Sequence, residues 1–192
     1  MNSEITFTLI EFDGGSLRNA IPREANAIIS CDDSVLIRAQ DLINSMAFKI
    51  KEEFLSIEPK LLITYSNTST EFIQGVSQPD QAKILNTLFA VHNGVFRMSP
   101  EIKDLVETSS SLARVIVKDG TFITQSLQRS SVDSTKDDVA QTIKSTFELM
   151  GCAIIQNGDY PGWKPDPNST ILRIMEKLYV ELFNEQPKVK AC

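Results

Sequence analysis

The sequence predicts an α+β fold: an antiparallel or mixed sheet with helices packed on one face. Three observations predict it. Short runs rich in β-branched and aromatic residues alternate with segments whose apolar residues recur every three or four positions. Asp119-Gly120 separates two of the β-like runs by the two residues of a tight hairpin, so at least one strand pair is antiparallel. The last helical segment is apolar around much of its circumference, which calls for partners on more than one side.

Taken in order, residues 5–12 alternate partly and read as a strand that Asp13-Gly14-Gly15 breaks. Pro22 cannot donate to a ladder, so residues 16–24 are a loop, and 25–31 are a second strand. Asp32 or Asp33 caps a long helix whose stripe is Val35, Leu36, Ala39, Leu42, Ile43, Met46, Ile50 and Phe54. Residues 60–66 read as a third strand. Ser77 to Asp80 supplies a cap, an early proline and an acid, and opens a helix expected to bury Ile84, Leu85, Leu88 and Phe89. His92-Asn93-Gly94 ends that helix.

The hairpin of 111–118 and 121–129 is expected to pair Val117 with Phe122, Val115 with Thr124 and Ala113 with Ser126. Its other side then carries Lys118, Arg114, Gln125 and Arg129, so Arg129 sits at a strand end on the more polar face. Ser134 opens a helix with Val139, Ile143, Phe147 and Met150 inward, and Gly151 stops it. Residues 152–156 read as a short strand and 157–168 as a Gly/Pro/Asp loop. Residues 169–184 form the last helix, and Lys188 to Cys192 look like the first residues of a strand.

Composition narrows the function. A chain of 192 residues fits one domain, or one with a short appendage. With 42% hydrophobic and 23% charged residues it is ordinary globular protein. No run approaches the roughly 18 apolar residues of a membrane span, and Met1-Asn2-Ser3-Glu4 has no secretory character. A net charge of -6 argues against nucleic acid or an anionic membrane as partner. Three scattered cysteines without a C-x-x-C pattern read as reduced cytoplasmic thiols. The single histidine, His92, cannot build a zinc site of usual spacing, which disfavours a self-sufficient hydrolase.

The polar residues divide accordingly. Asp32-Asp33 and Asp137-Asp138 sit in first helical turns, where acids meet the helix dipole, and Glu52-Glu53 reads as a solvated pair. His92 reads as an exposed side chain at a helix end, and Cys31 and Cys152 as small apolar fillers. Arg18, Asn19, Arg23 and Glu24 around Ile21-Pro22 are more polar than a turn requires. Arg129, followed by Ser130, Ser131, Asp133 and Ser134, is a second such place. Arginine's planar fork suits a carboxylate, with a surface ion pair as the bland alternative.

Four stretches, Gly14 to Glu24, Asn93 to Ser99, Arg129 to Ser134 and Tyr160 to Asp166, resemble, in order, signatures of the aminoacyl-histidine dipeptidases, the carnosine-cleaving two-zinc metallopeptidases. The resemblance implies a parent enzyme whose catalytic domain, built from both chain ends, holds two zinc ions. Into it is inserted an α+β lid, or dimerisation, domain. It implies that this chain is incomplete at both ends. Residues 1–158 would be the lid without its first strand and helix, and 159–192 a linker and the start of the returning catalytic segment. It implies no catalytic residue, zinc ligand or bound zinc in this piece. It places Asn19 and Arg129 against the substrate, Arg129 on the dipeptide's free carboxylate. The partners it implies are a dipeptide and a second subunit paired through the lid, in the cytoplasm. The competing reading is a stand-alone interaction or ligand-binding module.

Overall fold

The computed structural model describes residues 5–68 and 74–189. Among the described residues five antiparallel strands make the sheet: β1 (Phe7–Gly15), β2 (Ala25–Cys31), β3 (Gly94–Met98), β4 (Val106–Lys118) and β5 (Thr121–Ser130). Four α-helices accompany them: α1 (Leu36–Phe54, after a 3-10 turn at Asp33–Val35), α2 (Gln78–Ala90), α3 (Asp133–Met150) and α4 (Thr170–Phe183). The fold is α+β as expected, with every strand pair antiparallel.

The long strand β4 is the spine. β5 pairs along it from Thr108 to Lys118. A strand has two edges, so β1, paired at Arg114–Val117, and β3, paired at Val106–Ser110, share the other edge end to end. β2 lies outside β1. The turn at Asp119-Gly120 has φ of 49° and 71°, the left-handed pair that a two-residue hairpin requires.

Helices α2 and α3 cover one face. Val139, Ile143 and Phe147 of α3 pack with Val91, Phe96, Leu112 and Phe122, while Ile84 of α2 packs with Leu9 and Val117. Gln81, almost fully buried, accepts the Leu9 amide on Oε1 at 2.6 Å and so ties α2 to β1. The other sheet face is open and carries the ion pairs Asp13–Arg114 (3.0 Å) and Glu11–Lys118 (3.5 Å).

Several expectations fail for physical reasons. β1 does not break at Asp13 but runs through Gly15, because the two glycines let it lie close against β4. A Cβ on Gly15 would strike the Ala113 carbonyl, and its φ is +74°. Ala113 does not face Ser126. Leu112 does, and Ala113 is the extra residue of a bulge. Residues 60–66 and 152–156 belong to no strand, since β-like composition forms a strand only beside a partner edge. Lys188 and Val189 also lie outside any strand, and 190–192 lie outside the described residues.

Strand β3 was not expected: its five residues do not alternate cleanly. Phe89 is 96% exposed and Leu85 is exposed too, because α2 turns only its Ile84–Leu88 edge to the sheet. The helix after β5 starts at Asp133, one residue before Ser134. His92 is not an exposed cap. Its ring stands edge-on to Phe96 of β3 at 5.2 Å, and Nε2 is buried without a partner among the described residues.

Helix α1 buries only Ala39 and Ala47, and α4 buries no residue. Ile171, Leu182 and Phe183 of α4 are largely exposed, as a helix apolar all round is when nothing covers it. Among the described residues no helix is long and apolar enough to cross a membrane.

Candidate functional site

Three of the four stretches singled out in the sequence, 93–99, 129–134 and 160–166, meet at the end of β4 that carries Glu107 and Thr108. Loop 16–24 leaves β1 at Gly15, beside Arg114 in the middle of β4, and is closed at its base by the Gly15 amide donating to the Glu24 carbonyl at 2.9 Å. A turn from Leu17 to Ala20 puts Arg18 and Asn19 at its tip, both exposed. Arg18 donates to Asn157 Oδ1 at 2.9 Å. The same segment, 157–162, then passes over the end of β5. A Cβ on Gly162 would lie 2.6 Å from the Ser130 carbonyl oxygen, so only glycine allows this approach. The neighbours of Asn19 and of Arg129 thus touch one short segment.

Lys136, in the first turn of α3, clasps that segment. Its Nζ lies 2.7 Å from Asp159, 3.2 Å from Asp133 and 2.6 Å from the Tyr160 carbonyl. The Gly162 amide donates to Asp133 Oδ1 at 2.8 Å. That amide, and then Lys136, hold the Asp133 carboxyl below its ordinary value, while Asp159 and Asp133 raise the Lys136 ammonium above its own.

Beneath the clasp is a knot of hydroxyls. Thr108, Ser130 and Thr135 lie 2.7 to 3.0 Å from one another. Ser130 Oγ also accepts the Val132 amide at 3.0 Å. Glu107, with 5% of its side chain exposed, faces Thr135 at 3.3 Å and Arg97 at 3.2 Å. Its carbonyl accepts the Ser131 amide at 3.0 Å. Asn93 Oδ1 accepts the Leu112 amide at 2.9 Å, beside the bulge. The stretch 93–99 therefore braces the turn after β5.

Arg129 comes immediately before that turn. It pairs with Ser109 in the ladder while Ser130 faces the helices, so Arg129 is on the open face, as its place in the hairpin predicts. Of the open-face cations on β4 and β5, Arg114 and Lys118 are neutralised. The Arg129 side chain is exposed and has no hydrogen bond or ion pair among the described residues.

Among the described residues no three His, Cys, Asp or Glu side chains gather where they could hold a metal ion. The donor set does not fit the two zinc ions that the resemblance implies for the parent. The Cys152 thiol is half-buried, and burial raises its pKa, so it is not poised as a nucleophile. The exposed Arg129 guanidinium at this end of the sheet is chemically suited to pair with an anion.

Sequence reasoning singles out Asn19 and Arg129 and passes over Glu107, Thr135 and Lys136, which hold the turn and the linker beside Arg129. Thr135 and Lys136 lie just past the third stretch, and Glu107 in none of the four. The long-range partners of Thr135 and Lys136 are 23 to 28 positions away, and no local spacing reports that.

Residues 1–58 match the model of the M20 peptidase dimerisation domain. Its relatives are dipeptidases. The chain is 33% identical over 187 residues to the cytosol non-specific dipeptidase of Escherichia coli (strain K12), covering 97% of this chain and 38% of that one. It superposes on the crystal structure of the aminoacylhistidine dipeptidase from Vibrio alginolyticus with a TM-score of 0.86 and 34% identity, over 96% of this chain and 37% of the other. The chain therefore spans less than two-fifths of the length of the relatives it matches.

Proposed function

We propose that residues 1–192 are the lid and dimerisation part, with the start of the returning catalytic segment, of a cytoplasmic zinc dipeptidase acting on Xaa-His dipeptides. Residues 1–158 are the lid and 159–192 the link onward, and the partner in the dimer is a second copy. The two metal ions, and the water they would activate, belong to segments outside this chain. The lid's part is to bind and orient. Arg129 takes the substrate's free carboxylate in its two-pronged fork, and the Asn19 amide donates to a peptide oxygen.

One observation carries the reading: among the described residues of β4 and β5, Arg129 is the open-face guanidinium without a side-chain partner, at the end of a strand whose next turn is held by the Thr108–Ser130–Thr135 knot. A cation without an internal partner, on a rigid mount, is available to a ligand.

The test uses the longer polypeptide encoded by the uninterrupted reading frame. Arg129→Ala should cost about 10- to 100-fold in kcat/KM for free dipeptides, the worth of a charge-assisted hydrogen bond, and little for C-terminally amidated ones. Equal losses for both would remove the carboxylate role.

A further inference from the structure

The sequence holds two Asn-Gly pairs, Asn93-Gly94 and Asn157-Gly158, and the fold treats them oppositely. An asparagine followed by glycine can close on itself. With no side chain on the second residue, its amide nitrogen meets little steric hindrance on the way to the asparagine Cγ. Whether it arrives depends on a backbone free to turn and a side chain free to swing.

Asn93-Gly94 is held on both counts. Asn93 Oδ1 accepts the Leu112 amide at 2.9 Å, and Gly94 is the first residue of β3, paired with Ser110 in the ladder. Asn157-Gly158 is exposed and lies outside every helix and strand. The Gly158 amide donates no hydrogen bond among the described residues. Its φ of +74° is one that glycine adopts without strain. The Asn157 side chain has one tie among the described residues, the bond from Arg18 to Oδ1 at 2.9 Å. That bond is exposed, and water competes for both of its partners. The pair is a free span between two anchors. Before it, Gln156 Nε2 donates to the Ala140 carbonyl at 3.3 Å, and after it Lys136 grips Asp159 at 2.7 Å.

We infer that Asn157-Gly158 is a site of spontaneous deamidation, with water as the co-reactant. The Gly158 nitrogen gives its proton to solvent base and bonds to Asn157 Cγ. The Cγ–Nδ2 bond breaks, and the nitrogen takes up a proton and leaves as ammonia. Water then opens the cyclic succinimide at either carbonyl, giving aspartate or isoaspartate. The balance is water in and ammonia out, with no change of oxidation state. Both products add a negative charge to the segment. Aspartate sets that charge where Arg18 already donates, which turns the bond into a charge-assisted one. Isoaspartate also inserts a methylene into the main chain just before Asp159, in the segment that Lys136 holds. None of this depends on what the longer protein catalyses.

The experiment is peptide mass mapping after incubation at mildly alkaline pH. It is run on the 192-residue chain and on the longer polypeptide encoded by the uninterrupted reading frame. In both, Asn157 should be lost at least about tenfold faster than Asn93, whose ladder must first open. Unfolded in urea, the two pairs should react at similar rates, because the difference lies in the fold. Gly158→Ala should slow the loss at Asn157 by at least about tenfold by shielding the attacking nitrogen. Its new Cβ would meet the flexible Arg18 guanidinium at 3.3 Å, so the fold accommodates it. Three results would each overturn the inference: Asn157 retained in either folded polypeptide while the urea-unfolded chain loses it, equal rates for the two pairs in the folded protein, or a rate that Gly158→Ala does not change.

Discussion

Asp133 shows how one side chain joins two tasks. Its carboxylate receives the Gly162 amide and one branch of the Lys136 clasp, and so holds the linker against the end of β5. Its pKa in the fold lies below the ordinary 3.8, so its contribution is present above that value and is lost as pH falls through the lower, folded-state value. Lys136 works in the opposite direction. Raised above 10.5, it contributes fully below that value and fades only as pH rises through its folded-state pKa. The clasp therefore holds across neutral pH and opens first on the acid side. The Gly162 amide proton shift should titrate with a midpoint below 3.8, and Asp133→Asn should abolish the titration. A midpoint at or above 3.8 would show that the carboxylate is not held.

Between elements, the hydroxyl knot does what an apolar core cannot at a strand end. It satisfies Ser130, Thr108 and Thr135 while joining β4, β5 and α3. Thr135→Val keeps the shape and removes the hub, leaving Glu107 without its second neighbour. Urea unfolding should show a loss of about 1–3 kcal/mol, the cost of unsatisfied buried polar groups. A loss under about 0.5 kcal/mol would mean that the knot is solvated. The hairpin was legible in the sequence because Asp119-Gly120 encodes its own φ angles. The Ala113 bulge was not, since it answers to Gly15, 98 positions away. Residues 60–66 and 152–156 had strand composition, but a ladder needs a neighbour that composition does not name. Periodicity pointed Phe89 inward, yet it cannot say whether anything waits there. Arg129 was legible by residue type and hairpin register. The bonds that steady it were not, because Glu107 and Thr135 are ordinary residues until the fold joins them.

At the scale of the molecule, the described residues form one packed body and two lightly packed helices, α1 and α4. The body is the sheet with α2 and α3, and its linker is fastened up to Gly162 by Lys136 and Asp133 and, a little further on, by Lys164 to Glu101 at 2.6 Å. Helix α4 follows with capped ends: Ser169 accepts the Leu172 amide, and Asn184 closes it in the left-handed conformation. No α4 residue is buried, so its apolar surface adds almost nothing to the stability of the body. Truncation after Asn168 should leave the urea stability of the remainder within about 0.5 kcal/mol of the 192-residue chain, the range of a change that removes no packing. Trp163, 90% exposed and retained, reports the linker by its fluorescence. A loss of more than about 1 kcal/mol would place α4 on the body. The same division bears on activity. With no metal donor set among the described residues, zinc added to either form should give no turnover of an aminoacyl-histidine dipeptide.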